Sequence, residues 1–417
     1  MNIYLIIIIS ALVVDFLLSN ISQYLTLKSL SPVLPEEFSG VYDNHKYEKS
    51  QNYTRENIKF ASIQSVFSFI ITLLFILYGG FNYIDIFVRE YTNHPIFGGL
   101  FFIGLLFIMQ DFLSMPFNLY QTFRIEKKYG FNKMTPRLYI TDKLKGYLLT
   151  IILGSLVMGS ILYVFEFLGN LAWLTAWIIM TVLTFVLPPL YINFIAPLFN
   201  KFTPLEDGDL KDKLTNYAKK VSFPLKGVFV MDGSKRSTHS NAYFTGFGKN
   251  KRIVLFDTLM KTHESDELLG IIAHEVGHYK RKHILKGMII SIIHTGVLLY
   301  LMSLFINNPH LFSAFKMTHL SVYASLLFFG LLFSPIDIIL SVVMNYYSRK
   351  NEFEADTYAV ETTNNGNAFI DGLKNLSLSN LSNLTPHFFT VFLSYSHPPV
   401  LERVRNIREI IINSEQS

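Results

Sequence analysis

The chain is 417 residues long, half of it hydrophobic, with 38 phenylalanines, no cysteine and a formal charge of +5 from 36 Lys and Arg against 31 Asp and Glu. That apolar content exceeds what a water-soluble globule of this length carries, and it places the chain in a bilayer. The lack of cysteine excludes disulfides, thiolate metal sites and a cysteine nucleophile, and leaves His, Asp and Glu as the available metal-binding side chains.

Apolar runs near 3–20, 59–81, 96–120, 147–169, 172–198, 285–307 and 320–347 are each long enough to cross about 30 Å of hydrocarbon as a helix. The first has no leading basic residue and no small-residue cleavage site, so it reads as a span rather than a signal peptide. Residues 30–58, dense in Pro, Glu, Tyr, Asn and Lys, read either as an ordered or semi-ordered loop or as a plain linker. The connection 121–146 holds seven Lys or Arg, and 21–58 and 199–284 are also basic. Arg89 and Lys316 are the only basic residues in the loops after spans two, four and six. The positive-inside rule then puts the N-terminus outside and the C-terminus in the cytoplasm. Short outer loops favour a bacterial plasma (inner) membrane, with the endoplasmic reticulum membrane as the alternative in a eukaryote.

The positive charge is thus a topology signal. No Arg-rich patch with interleaved aromatics is present, so no nucleic-acid partner is expected. Gly246-Phe247-Gly248 lacks the Lys-Ser/Thr ending of a phosphate loop. Asp15, Asp111, Glu166, His294 and Asp337 lie within spans and should face protein or trapped water, or pair locally near helix ends. Pro188, Pro189 and Pro197 should bend or end span five.

Ile272-Ala273-His274-Glu275-Val276-Gly277-His278 carries the chemistry. Two histidines at i and i+4 on a helix project from one face about 6 Å apart along the axis, which lets both reach one zinc ion. Glu275 beside the metal can take the proton of a water whose pKa zinc lowers to roughly 7, the chemistry of a hydrolase. Ser265 is placed to cap this helix, Asp266 and Glu267 occupy its first turn, and Lys280, Arg281 and Lys282 its last, each sign matching the helix dipole. Gly277 leaves the surface beside the second histidine bare.

A catalytic zinc needs a third protein ligand and an open position. The chain enters span six directly after His278 and returns to the same side after span seven, at Ser348-Arg349-Lys350-Asn351-Glu352-Phe353-Glu354-Ala355-Asp356. Glu352 is the expected third ligand. Glu354 falls on another face of the helix and reads as a solvated charge. Asp356, at i+4 from Glu352, is expected to accept the free N–H of a ligating histidine and fix its tautomer; the alternative is a solvated salt bridge.

These residues, with the seven spans and the phrases Pro197–Leu205, Met231–Ser237, His239–Phe244 and Ser396–Pro399, resemble the type I CAAX prenyl endopeptidases, integral-membrane zinc metalloproteases of the gluzincin kind. The resemblance runs from the first span to the tail. It implies seven helices enclosing a water-filled chamber, with a small α+β zincin-like catalytic domain on the cytoplasmic side. It also implies one Zn2+ per chain on His274, His278 and Glu352, Glu275 as general base, and Asp356 either orienting a ligand or donating a proton. The implied substrate is a prenylated or membrane-associated peptide or protein that loses its last three residues. Asn241 and His397 fall where the family contacts the substrate backbone or the developing oxyanion.

Those positions also make sense from the residues alone. Asn241 to Phe247, a Gly248-Lys249-Asn250-Lys251 turn and Arg252 to Phe256 read as a β-hairpin. Its edge, with Asn241, Ala242 and Tyr243, could hold an extended peptide over the metal. His397, stiffened by two following prolines, could donate to the oxyanion. The expected organisation is 1–198 spans one to five with cytoplasmic loops, 199–284 the catalytic region with the His-Glu-x-x-His helix, 285–349 spans six and seven, and 350–417 the segment carrying the third ligand. The protein is expected to be a monomer. Two other readings use the same residues: a quality-control metalloprotease of membrane proteins, and a non-catalytic lipid-binding chamber with structural zinc.

Overall fold

The computed structural model describes residues 2–246 and 251–416. Among the described residues, seven helices are long and apolar enough to cross a membrane: Ile3–Ser29, Asn44–Leu77, Pro95–Tyr129, Pro136–Phe167, Gly169–Phe199, His283–Ser303 and Val322–Thr363. All seven match the expected spans, but several run past the apolar run. The last has 42 residues, about 63 Å at 1.5 Å per residue, so it crosses the bilayer and continues as the helix carrying Glu352 and Asp356. Span five turns π-helical over Tyr191–Ile195 just after Pro188 and Pro189, and ends at Phe199. Proline removes an N–H from the ladder; Asn193 Nδ2 donates to the Pro189 carbonyl at 2.8 Å and gives it a partner within the distorted turn.

The spans are packed at their ends and open in the middle. One apolar core, including Phe81, Val88, Phe102, Phe165, Phe312 and Phe328, gathers at one end. Short helices Gly80–Tyr91 and Pro309–Ala314 close that end. Among the described residues none is buried over 52–75, 103–124, 136–160, 177–195, 284–295 or 334–351. Seven helices with no filled core at mid-membrane enclose a chamber. Polar groups in the spans fit this. Asp111 pairs with Lys143 at 2.9 Å, and His294 and Asp337 face each other at 3.9 Å across spans six and seven. Asp15 and Glu166 are exposed.

At the other end a second core draws on Leu214, Ile253, Ile272, Ala359, Phe369 and Ile407. Segments from before span six and after span seven therefore build one folding unit. Its sheet has order β1-β2-β4-β3, with β1 Phe202–Pro204, β2 Leu225–Met231, β3 Ala242–Thr245 and β4 Lys251–Phe256. β3 and β4 pair antiparallel, Tyr243 opposite Val254, as the expected hairpin. Its turn residues Gly248, Lys249 and Asn250, and Phe247 of the glycine-rich run, lie outside the described residues. β2 and β4 are parallel, and β3 sits on the sheet edge.

Residues 30–43 form an ordered connection before span two begins at Asn44; Phe38, Tyr42 and Tyr47 bury against Leu384. The plain-linker reading does not hold.

Candidate metal centre

Helix Ser265–Lys280 carries His274, Glu275 and His278. Its cap is Glu264 and not the expected Ser265: the Glu264 carboxylate takes an N–H of the first turn while Glu267 accepts the Glu264 N–H at 3.2 Å, a reciprocal capping box. The longer carboxylate reaches further than a serine hydroxyl and adds negative charge at the positive end of the helix dipole. Gly277 allows this helix to pack backbone to backbone on the continuation of span seven, where a Cβ would lie 3.0 Å from the Ala355 carbonyl.

That close approach brings the ligands together. His274 Nε2 and His278 Nε2 are 3.2 Å apart, and Glu352 places carboxylate oxygens 3.3 Å from the first and 3.2 Å from the second. One ligand atom from each residue lies within 4.8 Å of the others. The chemistry of the donors suits a cation. His274 Nδ1 lies 2.8 Å from Asp356 Oδ1; because a carboxylate only accepts, Nδ1 keeps a proton, and Nε2 is the nitrogen left for a metal once it is deprotonated. Glu352 Oε2 is buried without a hydrogen-bond partner among the described residues. Two imidazole nitrogens and a carboxylate crowded into one buried corner fit a bound metal ion.

Asp356 is fully buried, and Arg403 grips it with Nε at 2.9 Å and Nη2 at 2.6 Å. Arg403 Nη1 also lies 3.7 Å from Glu352. Burial and then the Arg403 charge push the His274 imidazolium down, but the adjacent Asp356 and Glu352 carboxylates outweigh them and raise its pKa to about 9. A metal taking Nε2 must therefore displace a proton.

His397 also reaches the site, Nε2 3.4 Å from Glu352 Oε1, with its side chain 67% exposed. Asn241 leads into edge strand β3, which holds Ala242 and Tyr243 and packs against helix Ser265–Lys280. The Asn241 carbonyl accepts from Phe256 N at 3.1 Å, and its side-chain oxygen accepts from Ala242 N at 2.8 Å, which leaves the Nδ2 amide directed away from its own backbone.

The N-terminal region, 23–201, matches the family model described as CAAX prenyl protease N-terminal, five membrane helices. Residues 204–411 match peptidase family M48. The chain is 36% identical over 397 residues to the CAAX prenyl protease 1 homolog of Dictyostelium discoideum, covering 93% of this chain and 92% of that protein. This chain belongs to the CAAX prenyl protease family of M48 peptidases. It is 31% identical to the human CAAX prenyl protease 1 homolog, over 90% of this chain and 88% of that protein. A crystal structure of S. mikatae Ste24p superposes with a TM-score of 0.90 at 31% identity, covering 98% of this chain and 99% of that one. The protein is accordingly a multi-pass membrane metalloendopeptidase.

Two residues at the site, Arg403 and His283, have no counterpart among the sequence expectations, and a third, Glu354, takes a different part. Arg403 sits in helix Val400–Glu415, within a stripe shared with Val404 and Ile407, both fully buried; a charge inside an apolar i, i+4 stripe was the readable signal. His283 contacts His278 at 3.1 Å. Glu354, expected to be merely solvated, is bonded to His283 at 3.1 Å.

Proposed function

We propose that this chain is a zinc endopeptidase that removes the C-terminal tripeptide from prenylated Cys-a-a-X peptides, acting as a monomer with one zinc per chain. The observation that carries the proposal is the convergence of His274, His278 and Glu352, two histidines and a carboxylate with the Nδ1 of His274 oriented from behind by Asp356. A set of two His and one Glu is a catalytic zinc arrangement. Zinc, when bound, supplies Lewis acidity that lowers the pKa of a water to roughly 7. Glu275, adjacent to His274 on the same helix, accepts the proton of the attacking water and returns it to the leaving amine. The open edge of β3 pairs with an extended peptide, Ala242 and Tyr243 through their backbone and Asn241 through Nδ2. His397 donates to the oxyanion as it develops. Asp356 is already engaged by His274 and Arg403, which supports orientation over proton donation.

The basic connections support a cytoplasmic catalytic face with the N-terminus outside. The relatives named above are eukaryotic, which favours the endoplasmic reticulum membrane over a bacterial plasma membrane. In this reading 1–198 and 285–349 form the chamber, and 199–284 and 350–417 the catalytic unit.

The test is cleavage of a farnesylated Cys-a-a-X peptide and its unprenylated twin, with zinc content measured for wild type and Glu275→Gln side by side. The expected result is preferential cleavage of the farnesylated peptide, and an inactive variant that still holds zinc. Equal cleavage of both peptides would select a quality-control protease, a reading the hollow between the spans also accommodates. Full activity in Glu275→Gln would remove the mechanism.

A further inference from the structure

We infer that His283 and Glu354 form a positioning relay that sets the tautomer and the orientation of His278. The inference rests on the zinc reading of the site above. His278 Nδ1 lies 3.1 Å from His283 Nδ1, and His283 Nε2 lies 3.1 Å from Glu354 Oε2. A carboxylate accepts, so His283 carries its proton on Nε2 and donates it to Glu354. Its Nδ1 is then a lone pair that accepts the Nδ1–H of His278, and His278 is left with a free lone pair on Nε2, aimed at His274 Nε2 and Glu352. Every atom in the chain of three side chains has one role, and the end of the chain is a metal ligand.

The backbone is bent to make this contact. Five residues along an unbroken helix correspond to a rotation that would carry His283 about 140° away from the face of His278. Instead the metal helix ends at Lys280, a new helix starts at His283, and the joint is Lys282 at φ 60°, a left-handed conformation in a residue with a side chain. Strain of this kind persists where the surroundings impose it. It delivers His283 to a site where it is only 6% exposed and its ring lies 5.2 Å from that of His278. The two ligating histidines are thus oriented by different devices: His274 by Asp356 directly, His278 by Glu354 through an intervening imidazole.

The experiment measures zinc affinity by chelator competition on the detergent-solubilised full chain, with the melting temperature of the metal-free protein alongside. His283→Phe keeps the bulk but removes the acceptor, and zinc binding should weaken about 10–100-fold, the range for supporting residues of this kind. His283→Gln restores an acceptor oxygen to His278 and should recover most of that loss. Glu354→Ala, at a side chain 40% exposed, should give an intermediate loss with an unchanged melting temperature. Wild-type affinity in a folded His283→Phe protein, or equal losses in Phe and Gln variants, would overturn the relay. Should the Phe variant fail to fold, wild-type affinity in Glu354→Ala does so instead. A wild-type protein that binds no zinc would refute the metal reading itself, an outcome separate from these.

Discussion

Arg403 and Asp356 form a two-pronged ion pair behind the metal site, with Nε on Oδ2 at 2.9 Å and Nη2 on Oδ1 at 2.6 Å. Nη2 also lies 3.2 Å from His274 Nδ1, but that nitrogen already spends its proton on Asp356, so Nη2 and Nδ1 both donate to Oδ1 while Nε holds Oδ2. The pair keeps Asp356 ionised and therefore an acceptor. Arg403→Ala should leave the buried carboxylate without its two-pronged guanidinium partner, destabilising the protein by about 3–5 kcal/mol. If the orphaned carboxylate takes up a proton it can no longer hold His274 as before, and zinc affinity should fall about 10–100-fold. Thermal unfolding and chelator competition read the two effects. Asp356→Asn combined with Arg403→Ala should cost less than the sum of the singles, because the second change removes the charge the first one strands.

The convergence of His274, His278 and Glu352, with Asp356 behind them, is legible because helical spacing and membrane topology both constrain it: i+4 fixes the histidines, and an even number of crossings returns Glu352 to the same side. Arg403 and His283 were not inferred. Arg403 reaches the site through packing of a helix 47 residues beyond Asp356, a tertiary fact with no local spacing rule. His283 depends on a left-handed Lys282, and lysine gives no warning of that conformation. Glu354 lies on another helix face than Glu352, as its two-residue offset predicts, but that face meets His283 and not water alone. The hairpin β3–β4 is visible as two strand-like runs around a Gly-Lys-Asn-Lys turn, whereas β1, only three residues long, carries too little pattern to detect.

Gly277 supplies a test of the close approach between the metal helix and span seven. A Cβ there would lie 3.0 Å from the Ala355 carbonyl oxygen and 3.1 Å from the Ala355 Cα, and backbone cannot rotate aside. Gly277→Ala should destabilise by about 1–3 kcal/mol and weaken zinc binding, since the helix bearing Glu352 must shift. Gly287→Ala is the control. Nothing lies within 4 Å of its Cβ position, so helix propensity alone acts and the melting temperature should hold or rise.

Asp85 is fully buried in the helix that closes the far end of the chamber. It accepts from Arg89 Nε at 2.8 Å and from the Tyr323 hydroxyl at the start of span seven. Asp85→Ala should cost about 2–3 kcal/mol, below the full penalty for a buried pair because the Arg89 side chain is 26% exposed. The melting temperature should drop while kcat at permissive temperature stays near wild type. A loss of kcat with an unchanged melting temperature would mean that this end of the chamber takes part in turnover.

Zinc binding should compete with protons. His274 has a pKa raised to about 9 by Asp356 and Glu352 against burial and Arg403, so below pH 9 the imidazolium form dominates in the metal-free protein. Each unit of pH lowering should then weaken apparent affinity about tenfold, with close to one proton released per zinc bound near neutral pH. Titrations in two buffers of different ionisation enthalpy measure that release. Affinity independent of pH between 6 and 8 would show that His274 enters the complex already neutral.

His397 lies 3.4 Å from Glu352 yet is 67% exposed, and Ser396 Oγ sits 2.9 Å from its Nδ1. A largely exposed side chain with its Nε2 beside Glu352 is placed to meet something that arrives. Pro398 and Pro399 restrict the backbone immediately after it, so the ring can be held ready without a partner on its outer face. If it donates to the oxyanion, the interaction exists only as negative charge develops on the carbonyl oxygen. His397→Ala should then lower kcat about 100-fold, leave KM within a few-fold of wild type, and leave zinc content intact. A raised KM with kcat preserved would place His397 in ground-state binding of the peptide, and loss of zinc would make it a support for Glu352.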